Sequence, residues 1–202
     1  MKIVRQTSLV ETPWKNGGGI TREAIRVPAG AEPFGWRVSF ARIDRSGPFS
    51  DFPGYVRHMV LLQGAGVRLG FADGGQAMLR EAGDCVQFDG GVATTCELLH
   101  GSCVDLNLIA SAAMYTVTAR VQRVREPLTW QAGAAQPTLV VPIDAAVVVR
   151  DTQGECVQLG SWDLAAGPGT GDGISELRLA DPQVPCRVFL AGIVDNKAAK
   201  RQ

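Results

Sequence analysis

The sequence predicts an all-β fold built from many short strands, a sandwich or a barrel. Three observations carry that prediction. Gly 24 and Pro 11 are spread along the 202 residues and cut the chain into short segments. Within those segments apolar and polar residues alternate with the strand period of two. No sustained stretch repeats apolar residues at i, i+3, i+4 and i+7, as an amphipathic helix would.

The segment 35–43 reads G-W-R-V-S-F-A-R-I. It puts Trp36, Val38 and Phe40 on one face and Arg37, Ser39 and Ala41 on the other. Strands are expected at 57–62, 66–71 and 76–79, with Asp73-Gly74-Gly75 as the hairpin turn between the last two. Further strands fall at 85–88 and 95–99. At 104–109, Val104, Leu106 and Leu108 oppose Asp105 and Asn107. The segment 114–124 is a longer alternating strand. In the second half strands are expected at 138–143, 146–150, 155–159, 176–179 and 187–193. Val148 is expected in the core, where an introduced charge would be buried unpaired. A strand-and-turn rhythm recurs weakly between 67–99 and 147–190. The segment 126–137 is the expected join, and 167–173, G-P-G-T-G-D-G, is an expected flexible loop.

Lys+Arg is 20 and Asp+Glu is 20, so the net charge is zero. Without a basic excess, nucleic acid is not an expected partner. The only mildly basic stretch, 197–201, reads as a frayed end. The opening M-K-I-V-R-Q has no apolar h-region, so a secretory signal is not expected. The longest apolar run, 139–149, is broken by Pro142 and Asp144 and is too short to span a bilayer. Five scattered cysteines without a CxxC pair read as buried, reduced thiols. The expectation is a cytoplasmic protein with no membrane partner.

His58 and His100 are the only histidines, and neither belongs to an HxH or HxxH pair. A three-histidine metal site cannot be built from two, so no metal and no cofactor are expected. A serine nucleophile lacks its GxSxG elbow. Gly17-Gly18-Gly19 lacks the GK[ST] continuation of a phosphate loop, and no helix follows it. What remains suits an anion. Trp14, Lys15, Asn16, Thr21 and Arg22 flank the glycine run; Arg37 and Ser39 share a strand face. Ser50, Arg57, His58, Asp105 and Asn107 complete the set. Alternate residues facing one lumen would bring these together. Arg22, Arg37 and Arg57 are the candidates for gripping a carboxylate in bidentate fashion. Trp14, Trp36, Phe49 and Phe52 either wall a pocket or fill the core.

Ordered motifs carry a family resemblance over residues 1 to about 110. They are P-W-K-N-G-G-G from Pro13, T-R-E from Thr21, W-R-V-S from Trp36 and S-G-P-F-S from Ser46. F-P-G from Phe52, H-M-V-L-L-Q-G-A-G from His58, F-D-G from Phe88 and D-L-N-L from Asp105 follow. Together they resemble the HutD/Ves family. The resemblance implies an RmlC-like jelly-roll, a cupin-like β-barrel with two barrel units in one chain. The boundaries are then 1–125, carrying the motifs, and 126–202, a degenerate unit packed against the first as a cover or a homodimer face. The stretch from His58 to Gly66 is similar to a cupin motif stripped of its metal-binding histidine pair and glutamate. The resemblance also implies an association with histidine utilisation, and for one arm of the family with cold or environmental response.

The leading expectation is a metal-free receptor for a small carboxylate such as urocanate or formylglutamate, acting as sensor or regulator. Two alternatives stand beside it. One is a metal-independent isomerase or hydrolase using His58 with Asp105, or His100. The other is a protein-interaction module.

Overall fold

The computed structural model describes residues 1–130, 137–167 and 173–199. Half of the expected join and most of the glycine loop lie outside these residues. Nineteen strands are present among the described residues. The first nine are β1 (Lys2–Val4), β2 (Glu11–Pro13), β3 (Gly19–Val27), β4 (Trp36–Ile43), β5 (Gly47–Pro48), β6 (Tyr55–Gln63), β7 (Val67–Phe71), β8 (Gln76–Leu79) and β9 (Cys85–Asp89). Then come β10 (Thr94–Leu98), β11 (Cys103–Ser111), β12 (Tyr115–Val124), β13 (Leu128–Thr129), β14 (Leu139–Pro142) and β15 (Val147–Asp151). The last are β16 (Cys156–Leu159), β17 (Leu164–Ala166), β18 (Ile174–Leu179) and β19 (Cys186–Asp195). A four-residue helix, α1 (Asn196–Ala199), follows.

The strands form four sheets in two compact units. One unit is Leu9–Tyr115. Its six-stranded sheet has the order β2-β3-β4-β11-β6-β9, and its four-stranded sheet the order β5-β10-β7-β8. The other unit is Met1–Ser8 with Thr116–Gln202. Its sheets run β1-β17-β14-β19-β12 and β13-β18-β15-β16. The boundary therefore falls ten residues before the expected one, because β12 joins the five-stranded sheet beside β19. The first residues join the same sheet, with Lys2, Ile3 and Val4 paired to Ala166, Ala165 and Leu164. Each unit is a pair of sheets, in keeping with the expected cupin-like jelly-roll, and neither pair closes into a continuous barrel.

Burial of apolar side chains between the two sheets supplies the cohesion of each unit. In the 9–115 unit the core is Ile43, Met59, Leu61, Val67, Leu69, Leu79, Cys96 and Cys103. In the other unit Val140, Val147, Val149, Leu177, Val188 and Leu190 belong to a wholly apolar core. Val148, between two buried valines, is only half-buried. Strand alternation turns it away from this core, which corrects the expectation placed on it. Two of the five thiols, Cys85 and Cys156, are exposed, so the expectation of buried thiols holds for Cys96, Cys103 and Cys186.

Candidate functional site

The three central strands of the six-stranded sheet change character along their inner face. At one end that face is apolar, with Ile43 on β4, Cys103 on β11 and Leu61 on β6. Toward the other end it becomes Ser39 and Arg37, Asp105 and Asn107, and Arg57. Register brings these into rows. Asn107 pairs with Ser39 and Met59, while Ile109 pairs with Arg37 and Arg57. Where the face turns polar the interior opens into a cavity of about 700 Å³.

A tight hairpin between β2 and β3 forms part of its rim. The Trp14 amide donates to the Gly19 carbonyl at 2.9 Å, and the Gly17 amide to the Trp14 carbonyl at 3.0 Å. Gly17 holds a φ of 67°, a left-handed conformation that favours glycine. A Cβ on Gly19 would stand 2.2 Å from the Arg42 carbonyl oxygen, so that residue is glycine for close approach. Asn16 Oδ1 accepts from the Gly18 amide at 2.9 Å, and the Trp14 indole donates to Thr21 Oγ1 at 2.8 Å. The hairpin sets Lys15 and Asn16 on the cavity lining. Trp14 packs edge-on against Phe49, ring centroids 6.4 Å apart.

β3 adds two charged residues, Glu23 in phase with Thr21 and Arg26, which alternation alone does not reveal. Its register shifts between Glu23 and Ile25. A bulge inserts one residue and changes which parity faces inward. Thr21 and Glu23 line the cavity before the bulge, and Arg26 after it. Arg26 pairs with Glu23 at 2.6 Å and with Glu32. The Glu23 hydrogen bond is the main reason its pKa is raised. Arg37 lies 4.0 Å from Glu23 and over the rings of Phe34 and Phe52, at 5.1 and 5.3 Å. Burial, then repulsion from Arg26, lowers its pKa, and its Nε has no hydrogen-bond partner.

Arg57 is the deepest cation. It is 5% exposed and lies over Phe49, Phe52 and Phe88 at 5.1, 5.6 and 4.9 Å. Its Nη2 donates to Asn107 Oδ1 at 2.8 Å, and the Asn107 amide nitrogen donates to Asp105 Oδ2. Arg57 Nε and Asp105 Oδ1 are buried without partners. Burial lowers the Arg57 pKa to about 10, which leaves it charged at neutral pH. Asp105 is 1% exposed. Burial pushes its carboxyl up to about 7, against the opposing pull of Arg57 and of the Asn107 hydrogen bond. The cavity is therefore lined by four basic side chains, Lys15, Arg26, Arg37 and Arg57, against Glu23 and a buried Asp105 whose carboxyl is pushed up to about 7.

Ten of the expected site residues line this one cavity: Trp14, Lys15, Asn16, Thr21, Arg37, Ser39, Ser50, Arg57, Asp105 and Asn107. Three do not, and strand parity is the reason. Arg22 pairs across β4 with Phe40, on the other face, and its guanidinium binds Glu11 at 2.6 Å. Trp36 lies on the same outer face as Val38 and Phe40 and is buried. His58 pairs with Leu108, also away from the cavity. It is buried, which lowers its pKa, and its Nε2 has no partner. The pairing of His58 with Asp105 is thus not formed, since the two lie on opposite faces of the sheet. His100 sits in an exposed bend outside the cavity lining. Glu23 and Arg26 are the charged lining residues that sequence reasoning misses; only the bulge reveals Arg26.

Among the described residues no three of His, Cys, Asp and Glu are grouped as metal ligands. No helix among them is long and apolar enough to cross a membrane.

The HutD family model matches residues 6–180. An uncharacterised 21.2 kDa protein in the hutC 3′ region of Pseudomonas putida is 35% identical over 170 residues, covering 81% of this chain and 84% of that protein. The structure of HutD from Pseudomonas fluorescens SBW25, solved in a formate condition, is 33% identical. It superposes with a TM-score of 0.75 over 96% of this chain and 98% of that one. At 11% identity, oxalate decarboxylase from Lactobacillus farciminis shares the fold alone, a cupin. Its TM-score is 0.66, over 99% of this chain and 90% of that one.

Proposed function

The chain belongs to the HutD family, and we propose that its 9–115 unit is a receptor for a small carboxylate, acting in the cytoplasm as a sensor or regulator tied to histidine utilisation. One observation carries this reading. Arg57 keeps a buried positive charge in a cavity, and among the described residues its side chain hydrogen-bonds only neutral acceptors, Asn107 Oδ1 and the Ser50 carbonyl. A desolvated cation without a direct counter-ion is costly, and a ligand carboxylate would supply one. Arg37 and Lys15 lie around the same space, and Phe49, Phe52 and Trp14 wall it for an apolar body. In such a site convergent polar groups fix a ligand's orientation and apolar walls enclose its body. The P. putida relative's position in the hutC 3′ region supports the pathway.

The test is a thermal-shift panel on metal-stripped protein with histidine, urocanate, formylglutamate, glutamate and formate. A ligand at about 100 times its Kd adds about 2.7 kcal/mol, a shift of several degrees. One acid is expected to raise Tm in the native protein and not in Arg57→Met. The loss corresponds to about 2–5 kcal/mol of binding. No shift with any of the acids overturns the reading.

A second reading is a metal-independent enzyme, and one observation favours it. Asp105, with a pKa near 7 in a cavity, is poised as a general acid or base. Steady-state turnover of the same acids, abolished in Asp105→Asn, is the result that would establish it over pure binding.

A further inference from the structure

Arg57, Asn107 and Asp105 form a chain from the middle of the cavity into its buried wall. Asn107 has both ends of its amide committed, the oxygen to Arg57 and the nitrogen to Asp105 Oδ2. Arg57 and Asp105 are therefore coupled through one fixed amide. Asp105 Oδ1 is left with no donor.

We propose that the cavity takes up its anion together with one proton, which Asp105 holds. The proposal rests on the carboxylate-receptor reading and adds the proton to it. In the empty site the Arg57 charge is the main electrostatic support of an ionised Asp105. A ligand carboxylate against Arg57 neutralises that support and brings a second negative charge into the same low-dielectric space. Two carboxylates sharing one site do not both stay ionised readily; one of them gains proton affinity. Asp105 is the more buried and already lies near its titration point. A proton from solvent on Oδ1 removes the charge from the orphaned oxygen, leaves the Asn107 bond to Oδ2 in place and gives an O–H that can donate to a bound anion. The bound state then carries the ligand's negative charge, the Arg57 positive charge and a neutral Asp105.

Charged and titratable groups line the same cavity as Asp105 from each element around it. They are Arg57 on β6, Arg37 on β4, Glu23 and Arg26 on β3, and Lys15 on the hairpin. The thiols Cys96 and Cys103 and the Asp51 carboxylate beside Arg57 complete the set. Cys96 is pushed by burial up to about 12 and stays neutral. His58 faces the opposite side of the sheet.

Formate, acetate and propanoate are suitable probes, because none has a group that titrates near neutrality. Calorimetric titration of the whole protein from about pH 6 to about pH 8.5, in two buffers of different ionisation enthalpy, counts the protons taken up. The expected result is a Kd that is nearly flat near pH 6 and rises by up to about tenfold per pH unit in the alkaline range, with close to one proton taken up per anion there. Asp105→Asn, a neutral isostere, is expected to bind with a pH-independent Kd and no proton. His58→Gln is expected to keep the native slope. Anion binding without pH dependence and without proton uptake overturns the proposal and leaves the receptor reading standing. No binding of any probe at any pH overturns both. If Asp105→Asn does not fold, the proton count on the native protein decides alone.

Discussion

In the 9–115 unit the interior between the sheets turns polar partway along, at Ser39, Asn107 and Arg57. In the other unit the same kind of interior is filled by Val140, Val147, Val149, Leu177, Val188 and Leu190, and its buried polar residues among the described ones, Thr138, Asp151 and Asp163, are not part of that cluster. Both interiors lie between a five- or six-stranded sheet and a four-stranded one. The difference lies in a few inward positions on the central strands, not in the strand plan. Apolar inward residues close the space and hold the unit together. Polar ones leave a space that water or a ligand must fill, and the unit then depends on its remaining apolar end for stability. The comparison implies that the two interiors respond in opposite ways to exchanging charge and hydrocarbon.

The largest effect is expected where a charge enters the apolar unit. Val147 and Val149 are fully buried, and Val149→Asp places a carboxylate in an apolar core. The cost is about 3–5 kcal/mol, enough to remove soluble, folded protein. Val148→Asp, at the half-buried position between them, is expected to be much milder. Equal soluble yields of the two variants would show that the inward register of β15 is misassigned.

The converse exchange in the cavity unit should stabilise. Arg57→Met replaces a buried cation with hydrocarbon of similar length among Phe49, Phe52 and Phe88. Removing the desolvation penalty outweighs the loss of the cation–π contacts and of the two hydrogen bonds to Asn107 Oδ1 and the Ser50 carbonyl, for a gain of about 1 kcal/mol in the ligand-free protein. Calorimetric unfolding without ligand should show a higher Tm for this variant, together with loss of the anion-induced shift. A lower Tm would mean that Arg57 serves the core more than a ligand.

A smaller effect follows from Asp105. The folded carboxyl keeps its proton up to about pH 7, whereas an unfolded one releases it near pH 4. The folded-state pKa is the higher one. The stability this group contributes is therefore complete below about pH 4 and is lost as the pH rises through about 7. Asp105→Asn lacks that loss. The Tm of the variant minus that of the native protein should increase across this window and level off above it. A difference that is flat with pH would place Asp105 in contact with water.

Much of this contrast is legible in the sequence. The alternation at 35–43 separates Arg37 and Ser39 from Trp36 and Val38, and the structure keeps that separation. The same holds for Asp105 and Asn107 against Leu106 and Leu108. What stays hidden is whatever alternation does not encode. The bulge in β3 breaks the period at Ala24, so the strand itself escapes a pattern search and Arg26 is concealed; Arg22 precedes the bulge, neighbours the lining residue Thr21 and faces the other way by parity. The chemistry of His58 suggests a site residue, although it neighbours the cavity residue Arg57 in sequence and must face the other way. The unit boundary is not legible, because pairing of β1 with β17 joins residues some 160 positions apart, and no local pattern reports that.

The glycine run gives the finest test, because two of its members are glycine for different reasons. Gly17 has a left-handed φ of 67°, and a Cβ there would meet nothing within 4 Å. Gly17→Ala therefore meets only backbone strain, about 1 kcal/mol, and the hairpin keeps its place. Gly19→Ala drives a methyl group against the Arg42 carbonyl, so β3 and β4 must separate locally, at a cost of about 1–3 kcal/mol. That movement also pulls on the Gly18 carbonyl, which accepts from the Asp44 and Arg45 amides at 2.8 and 3.1 Å. Trp14, hydrogen-bonded to Gly19 and Thr21, moves with it, and Lys15 with Trp14. Gly19→Ala is thus expected to weaken anion binding as well as stability, whereas Gly17→Ala lowers Tm slightly and leaves the Kd unchanged. Equal Kd values for both variants would show that the hairpin closes the strand end without positioning Lys15 for the ligand.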